Sequence, residues 1–136
     1  MTIATASATG GIMGRVATIG KNRYNCHMLE YDIQRAIIMA LRGRGVFVYS
    51  TPNELLGRVQ SKGGYGRMQR AVQAGLLSGV ADLTAVLPGR IIYMEVKTAK
   101  GVQSDAQKYF QERVTALGHQ YHIVRSVEDA MQVVGL

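Results

Sequence analysis

A chain of 136 residues, with 16 lysines and arginines against 9 aspartates and glutamates, carries a net charge of +7 and a pI near 9.9. The length fits one domain around one core, and the positive balance points to an anionic partner, most commonly nucleic acid. A single cysteine, Cys26, excludes a disulfide framework and fits a reducing cytoplasm, while no apolar run approaches the roughly 20 residues of a transmembrane helix.

Residues 1 to 24 contain no acid and are rich in Ala, Thr and Gly. Arg15 is the sole arginine before Arg23 and no amphipathic face is evident, so the segment makes a poor transit peptide. It is expected to be an arm, flexible or docked in a dimer, ahead of a domain over 25–136. A helix is predicted from about Met28 to Arg42, with Leu29, Ile33, Ala36, Ile37, Ala40 and Leu41 as its apolar stripe and Gly43 and Gly45 ending it. Val46 to Tyr49 reads as a short strand that stops before Pro52. Residues 57 to 79 are basic and glycine-punctuated, with Arg58, Lys62, Arg67 and Arg70 and no acid; a short helix is expected around Arg67 to Leu77. Two strands follow, joined at Pro88-Gly89. Ser104 to Leu117 is a predicted helix facing inward with Ala106, Phe110, Val114 and Leu117. Tyr121 to Arg125 is a strand, and Ser126 caps a final helix with Glu128 and Asp129 in its first turn. The order predicts an α/β domain: a mixed sheet flanked by helices.

Residues 79 to 97 carry the chemistry. If the hairpin closes symmetrically about Pro88-Gly89, Leu87 opposes Arg90, and each step outward brings Asp82 opposite Glu95. Directly opposed strand residues have Cβ atoms roughly 5 Å apart, and Lys97 shares the face of Glu95 because strand side chains alternate. Two carboxylates that close repel unless a proton or cation lies between them. A divalent metal there, beside a lysine ammonium, is an arrangement for cleaving phosphodiesters. The competing reading is a solvated, salt-bridged surface. Against it stand the apolar neighbours of both acids, which predict a central strand pair.

Other candidates carry two readings each. Glu30 lies close to Ile37 and Leu41 in helical angle, which would bury it with the stripe and demand a cationic partner. It also lies in the first turn, where an acid suits the helix dipole and stays solvated. Gln107 follows Ser104 by three, the spacing of a capping box, yet its helix begins close enough to Lys97 for the side chain to reach the same site. Gly79 is expected to serve backbone geometry. His119 and His122 lack a third ligand for zinc, and Gly63-Gly64 lacks the lysine and hydroxyl of a phosphate loop.

Taken together, Gly79-Val80-Ala81-Asp82, Glu95-Val96-Lys97-Thr98, Ser104 to Lys108 and Val124-Arg125-Ser126 resemble the VRR-NUC branch of the PD-(D/E)XK nucleases, over about Leu29 to Val134. Two departures stand out: Ala81 replaces the proline that often precedes the first acid, and Ser126 is the third residue of the name-giving triplet. The resemblance implies a restriction-endonuclease-like fold. It further implies that Asp82, Glu95 and the Val96 carbonyl hold Mg²⁺ or Mn²⁺, and that Glu30 completes the shell directly or through water. Lys97 would position the attacking water and Gln107 would orient the site, while Arg125 braces the fold or a phosphate. The expected activity is endonucleolytic cleavage of branched DNA such as four-way junctions by a homodimer, leaving a 5′-phosphate. Arg58, Lys62, Arg67 and Arg70 would contact backbone phosphates. Small stand-alone members of the branch are viral or bacterial, which places the expected action in the cytoplasm. The alternatives are a nuclease of the same superfamily acting on linear duplex, flaps or ends, and a non-catalytic basic nucleic-acid-binding module.

Overall fold

A computed structural model describes residues 29–52 and 64–136. Its elements are α1 (Glu30–Arg42), β1 (Phe47–Ser50), α2 (Gly64–Gln73), β2 (Leu83–Leu87), β3 (Arg90–Val96), α3 (Asp105–Ala116), β4 (Gln120–Val124) and α4 (Val127–Val134). The sheet order is β1-β2-β3-β4. The first two pairings are antiparallel, and β3 pairs parallel with β4 through the α3 crossover. This mixed sheet flanked by helices is the expected α/β architecture. Arm residues 1 to 24, with Cys26, Arg58 and Lys62, lie outside the described residues.

The hairpin closes as its turn chemistry dictates. Gly89 takes φ +72°, which suits a residue without a Cβ. Leu87 opposes Arg90, and the register runs unbroken to Leu83 opposite Met94. Continued one step beyond β2, the same register sets Asp82 opposite Glu95, and the Asp82 carboxylate bonds the amide of Val96 next to it. β2 and β3 occupy the centre of the sheet, as their apolar runs require.

Alternation divides the sheet between two cores. Ile92, Met94 and Val96 face Ile33, Ile37 and Leu41 of α1 and Ala130 and Val134 of α4. On the opposite face, Tyr93 packs edge-on against Phe110 of α3, with ring centroids 5.2 Å apart. Phe110 and Val114 are buried there with Tyr121 and Ala81. Glu95 and Lys97 belong to this second face, so helix α3 closes over the charged row.

Several expected boundaries shift. Leu29 caps α1 with extended backbone (ψ 152°) and is 63% exposed, so it leaves the apolar stripe. Leu117 sits past the last turn of α3 and is 70% exposed, not inward. α2 ends at Gln73 rather than near Leu77, because Gly75 turns the chain at φ +100°. The first and last strands each differ by one residue from the expected ranges. Ser126 caps α4 as expected, its Oγ accepting from the Asp129 amide at 3.1 Å.

Candidate active site

Asp82 stands immediately before β2, with its backbone carbonyl accepting from the Thr51 amide at 2.9 Å. Its Oδ2 accepts from the Val96 amide at 2.9 Å. That bond crosses the β2–β3 pair and points the carboxylate at the Glu95–Lys97 stretch. Glu95 is completely buried. Its Oε1 accepts from Lys97 Nζ at 2.9 Å and from Gln107 Nε2, and its Oε2 from the Tyr121 hydroxyl at 3.4 Å. Lys97 is itself 7% exposed. Its Nζ also lies 3.8 Å from Glu30 Oε1. The structure therefore brings Asp82, Glu95, Lys97, Gln107 and Glu30 into one cluster, and the solvated-surface reading fails for the first three.

Glu30 arrives differently from its angular position on α1. Its side chain is half exposed, in the first turn of α1, rather than buried with the apolar stripe. It reaches the site by its length, through Lys97. Gln107 fulfils both of its readings at once. Its Oε1 accepts from the Ser104 amide at 2.8 Å while its own amide donates to Ser104 Oγ at 3.3 Å. The remaining Nε2 is free to donate to Glu95. The capping box thus orients the side chain that touches the acid.

Two further devices hold the cluster. Gly79, at φ +79°, lies against the backbone of Ala106 and Gln107, where a Cβ would fall 2.7 Å from the Gln107 nitrogen. This close approach seats the first turn of α3 on the acids. Arg125 forks onto the turn after Lys97, donating to the Thr98 carbonyl and, at 3.1 Å, to the Gly101 carbonyl. It braces the loop that carries Lys97, as one of its expected roles had it. Arg67 and Arg70 are exposed on α2. His119 and His122 border an open cavity with Arg90 and Tyr121.

The electrostatics follow from burial. Desolvation raises the Glu95 carboxyl from its ordinary 4.5 to about 7; the Lys97 hydrogen bond lowers it and the Asp82 charge adds to the rise. Burial also raises Asp82, against the Val96 amide and the Lys97 charge that pull it down. Burial pulls Lys97 down, but its bond to Glu95 and the surrounding acids more than reverse this, so it stays charged. With all groups ionised, three carboxylates face one ammonium, an excess of two negative charges.

A carboxyl whose proton affinity is raised on folding contributes stability that is full below its unfolded value and is lost through its folded value. Metal-free protein should therefore lose stability between about pH 4.5 and about pH 7, by at most about 3 kcal/mol from Glu95. Melting temperatures in EDTA from pH 5 to 8 check this. Glu95→Gln, whose Oε1 keeps the same acceptor role, should flatten the curve and raise its alkaline end. Parallel curves for the two proteins would show that Glu95 ionisation carries no such penalty.

The donor set suits a hard divalent cation. Among the described residues, no three His, Cys, Asp or Glu side chains form a metal cage by themselves. Asp82 and Glu95, in a cluster whose two-charge excess includes Glu30, nevertheless match Mg²⁺, which keeps several waters and takes one or two carboxylates. Tyr121, Gln103 and Gln111 form an adjoining polar chain that sequence reasoning missed.

No protein-family model matches this chain, and no curated protein matches it. A solved structure described as a "VRR_NUC domain protein" is similar to it, with a TM-score of 0.49 and 15% identity. The match covers 65% of this chain and 64% of that one, less than two thirds of that structure's own length. No described helix is long and apolar enough to cross a membrane.

Proposed function

We propose that this chain is a metal-dependent DNA endonuclease of the VRR-NUC kind. The observation that carries the proposal is the convergence of Asp82, Glu95 and Lys97 on one buried sheet face, with Lys97 Nζ 2.9 Å from Glu95 Oε1. Asp82 and Glu95 would hold Mg²⁺ or Mn²⁺, with the Val96 carbonyl as a third oxygen and Glu30 joining through water. The bound ion would supply a water of lowered pKa and positive charge against the phosphate. Lys97 would orient that water and steady the charge on the phosphate. Gln107 keeps the Glu95 carboxylate turned to its task. Hydrolysis would join the water oxygen to phosphorus and break the bond to O3′, which leaves as a 3′-hydroxyl, so the product would carry a 5′-phosphate.

Arg67 and Arg70, with Arg58 and Lys62, would bind backbone phosphates; such contacts hold DNA without reading sequence. No base-reading helix stands out among the described elements, which favours selection by DNA shape. A homodimer acting on four-way junctions, with one site for each of two strands, fits a small domain of this kind. The setting would be the cytoplasm of an infected or bacterial cell.

Incubating labelled junctions, flaps and linear duplexes with Mg²⁺, Mn²⁺ or EDTA tests this. Cleavage should need the metal, favour the junction and fall at least about 100-fold in Asp82→Asn. Equal cutting of linear duplex would overturn the junction preference. DNA binding without cleavage under either metal would leave a non-catalytic binding module.

A further inference from the structure

Tyr121 is a buried titratable residue to which the proposed chemistry gives no part. It is the second residue of β4, 7% exposed, with its ring 6.2 Å from that of Phe110. A phenylalanine would fill the same space. The hydroxyl is what needs explaining, because a buried one must find partners.

Those partners form a directed chain. Gln103 Nε2 donates to Gln111 Oε1 at 2.9 Å and to the Tyr121 hydroxyl oxygen at 3.2 Å. An amide nitrogen has two protons, so both are placed. The Tyr121 oxygen receives one of them and keeps a single proton of its own. Its acceptor is Glu95 Oε2 at 3.4 Å. The two ends of the Glu95 carboxylate are thereby fixed independently: Oε1 by Lys97 and Gln107, Oε2 by Tyr121.

We propose that Tyr121, aligned by Gln103 and Gln111, is a positioning residue that sets the rotation of the Glu95 carboxylate and so tunes the affinity of the site for a divalent cation. This rests on the metal-dependent reading above. Partners that orient a metal-binding side chain typically contribute 10- to 100-fold in metal affinity. Gln103 belongs to the loop leading from Lys97 to α3, so the same chain couples the seat of that loop to the carboxylate.

Mn²⁺ titration calorimetry at pH 8, on wild type, Tyr121→Phe, Gln103→Ala and the double variant, tests the inference. Tyr121→Phe should weaken Mn²⁺ about 10-fold while its metal-free melting temperature stays near that of wild type. Gln103→Ala, which leaves the core untouched, should weaken Mn²⁺ in the same direction by less. The double variant should bind no worse than Tyr121→Phe, because both act through one hydroxyl. Wild-type affinity in both single variants would overturn this inference alone. A wild-type protein that binds no Mn²⁺ would overturn the metal-site reading and this inference with it.

Discussion

Lys97→Ala should cut DNA at least about 100-fold more slowly than wild type, with DNA affinity kept within a few fold. Removing a single preorganised donor from a reacting centre costs on the order of 10²–10³ in rate, and Lys97 stands at the meeting point of Glu95 and Glu30. Its exposure is 7%, so it contributes little surface for general phosphate attraction. Binding should instead follow the exposed arginines, among them Arg67 and Arg70. The variant leaves Glu95 without its cation, and the acid answers by holding a proton more tightly. Single-turnover cleavage alongside a binding titration in Ca²⁺ separates the two effects. Unchanged cleavage with intact binding would remove Lys97 from the chemistry.

Gly79→Ala should be the most damaging small substitution in the domain. Its φ of +79° costs an L-residue roughly 1–2 kcal/mol, and the added methyl meets the backbone of Ala106 and Gln107 rather than a movable side chain. Overpacking of this kind adds typically 1–3 kcal/mol, for about 3 kcal/mol in all. In a domain of this size that lowers the melting temperature by about 10 °C or more. The first turn of α3 can relieve the clash by backing away, which takes Gln107 off Glu95. Activity should then fall further than the loss of folded protein explains. A variant that melts and cuts like wild type would show that α3 is not seated through this glycine.

Much of the site was legible because it lies on a hairpin. A tight Pro88-Gly89 turn and strict alternation determine the register arithmetically, and the observed Leu87–Arg90 to Leu83–Met94 pairing follows it. Asp82 opposite Glu95, with Lys97 on the same face, is a consequence of local rules. What depended on the crossover was not legible. Tyr121 reaches Glu95 because β4 lies parallel to β3 with Tyr121 opposite Tyr93, a register set by how α3 packs. Sequence could show an aromatic strand residue but not its neighbour across a parallel pair. Gln103 was hidden for the same reason, lying in a loop with no period.

Glu30 shows a different limit. Helical angle placed it with Ile37 and Leu41, yet half its side chain is exposed, because a first-turn residue can overhang the core that its angle addresses. Gln107 shows that two readings need not compete. A capping box uses the carbonyl oxygen of the amide, leaving the nitrogen for Glu95.

In the proposed enzyme, Asp82 and Glu95 share one divalent cation beside Lys97. Crystals soaked in Mn²⁺ and measured at the manganese absorption edge test it directly. An anomalous peak about 2 Å from a carboxylate oxygen of each acid is the predicted result. A peak elsewhere, or none between them at saturating Mn²⁺ above pH 7, would contradict the account.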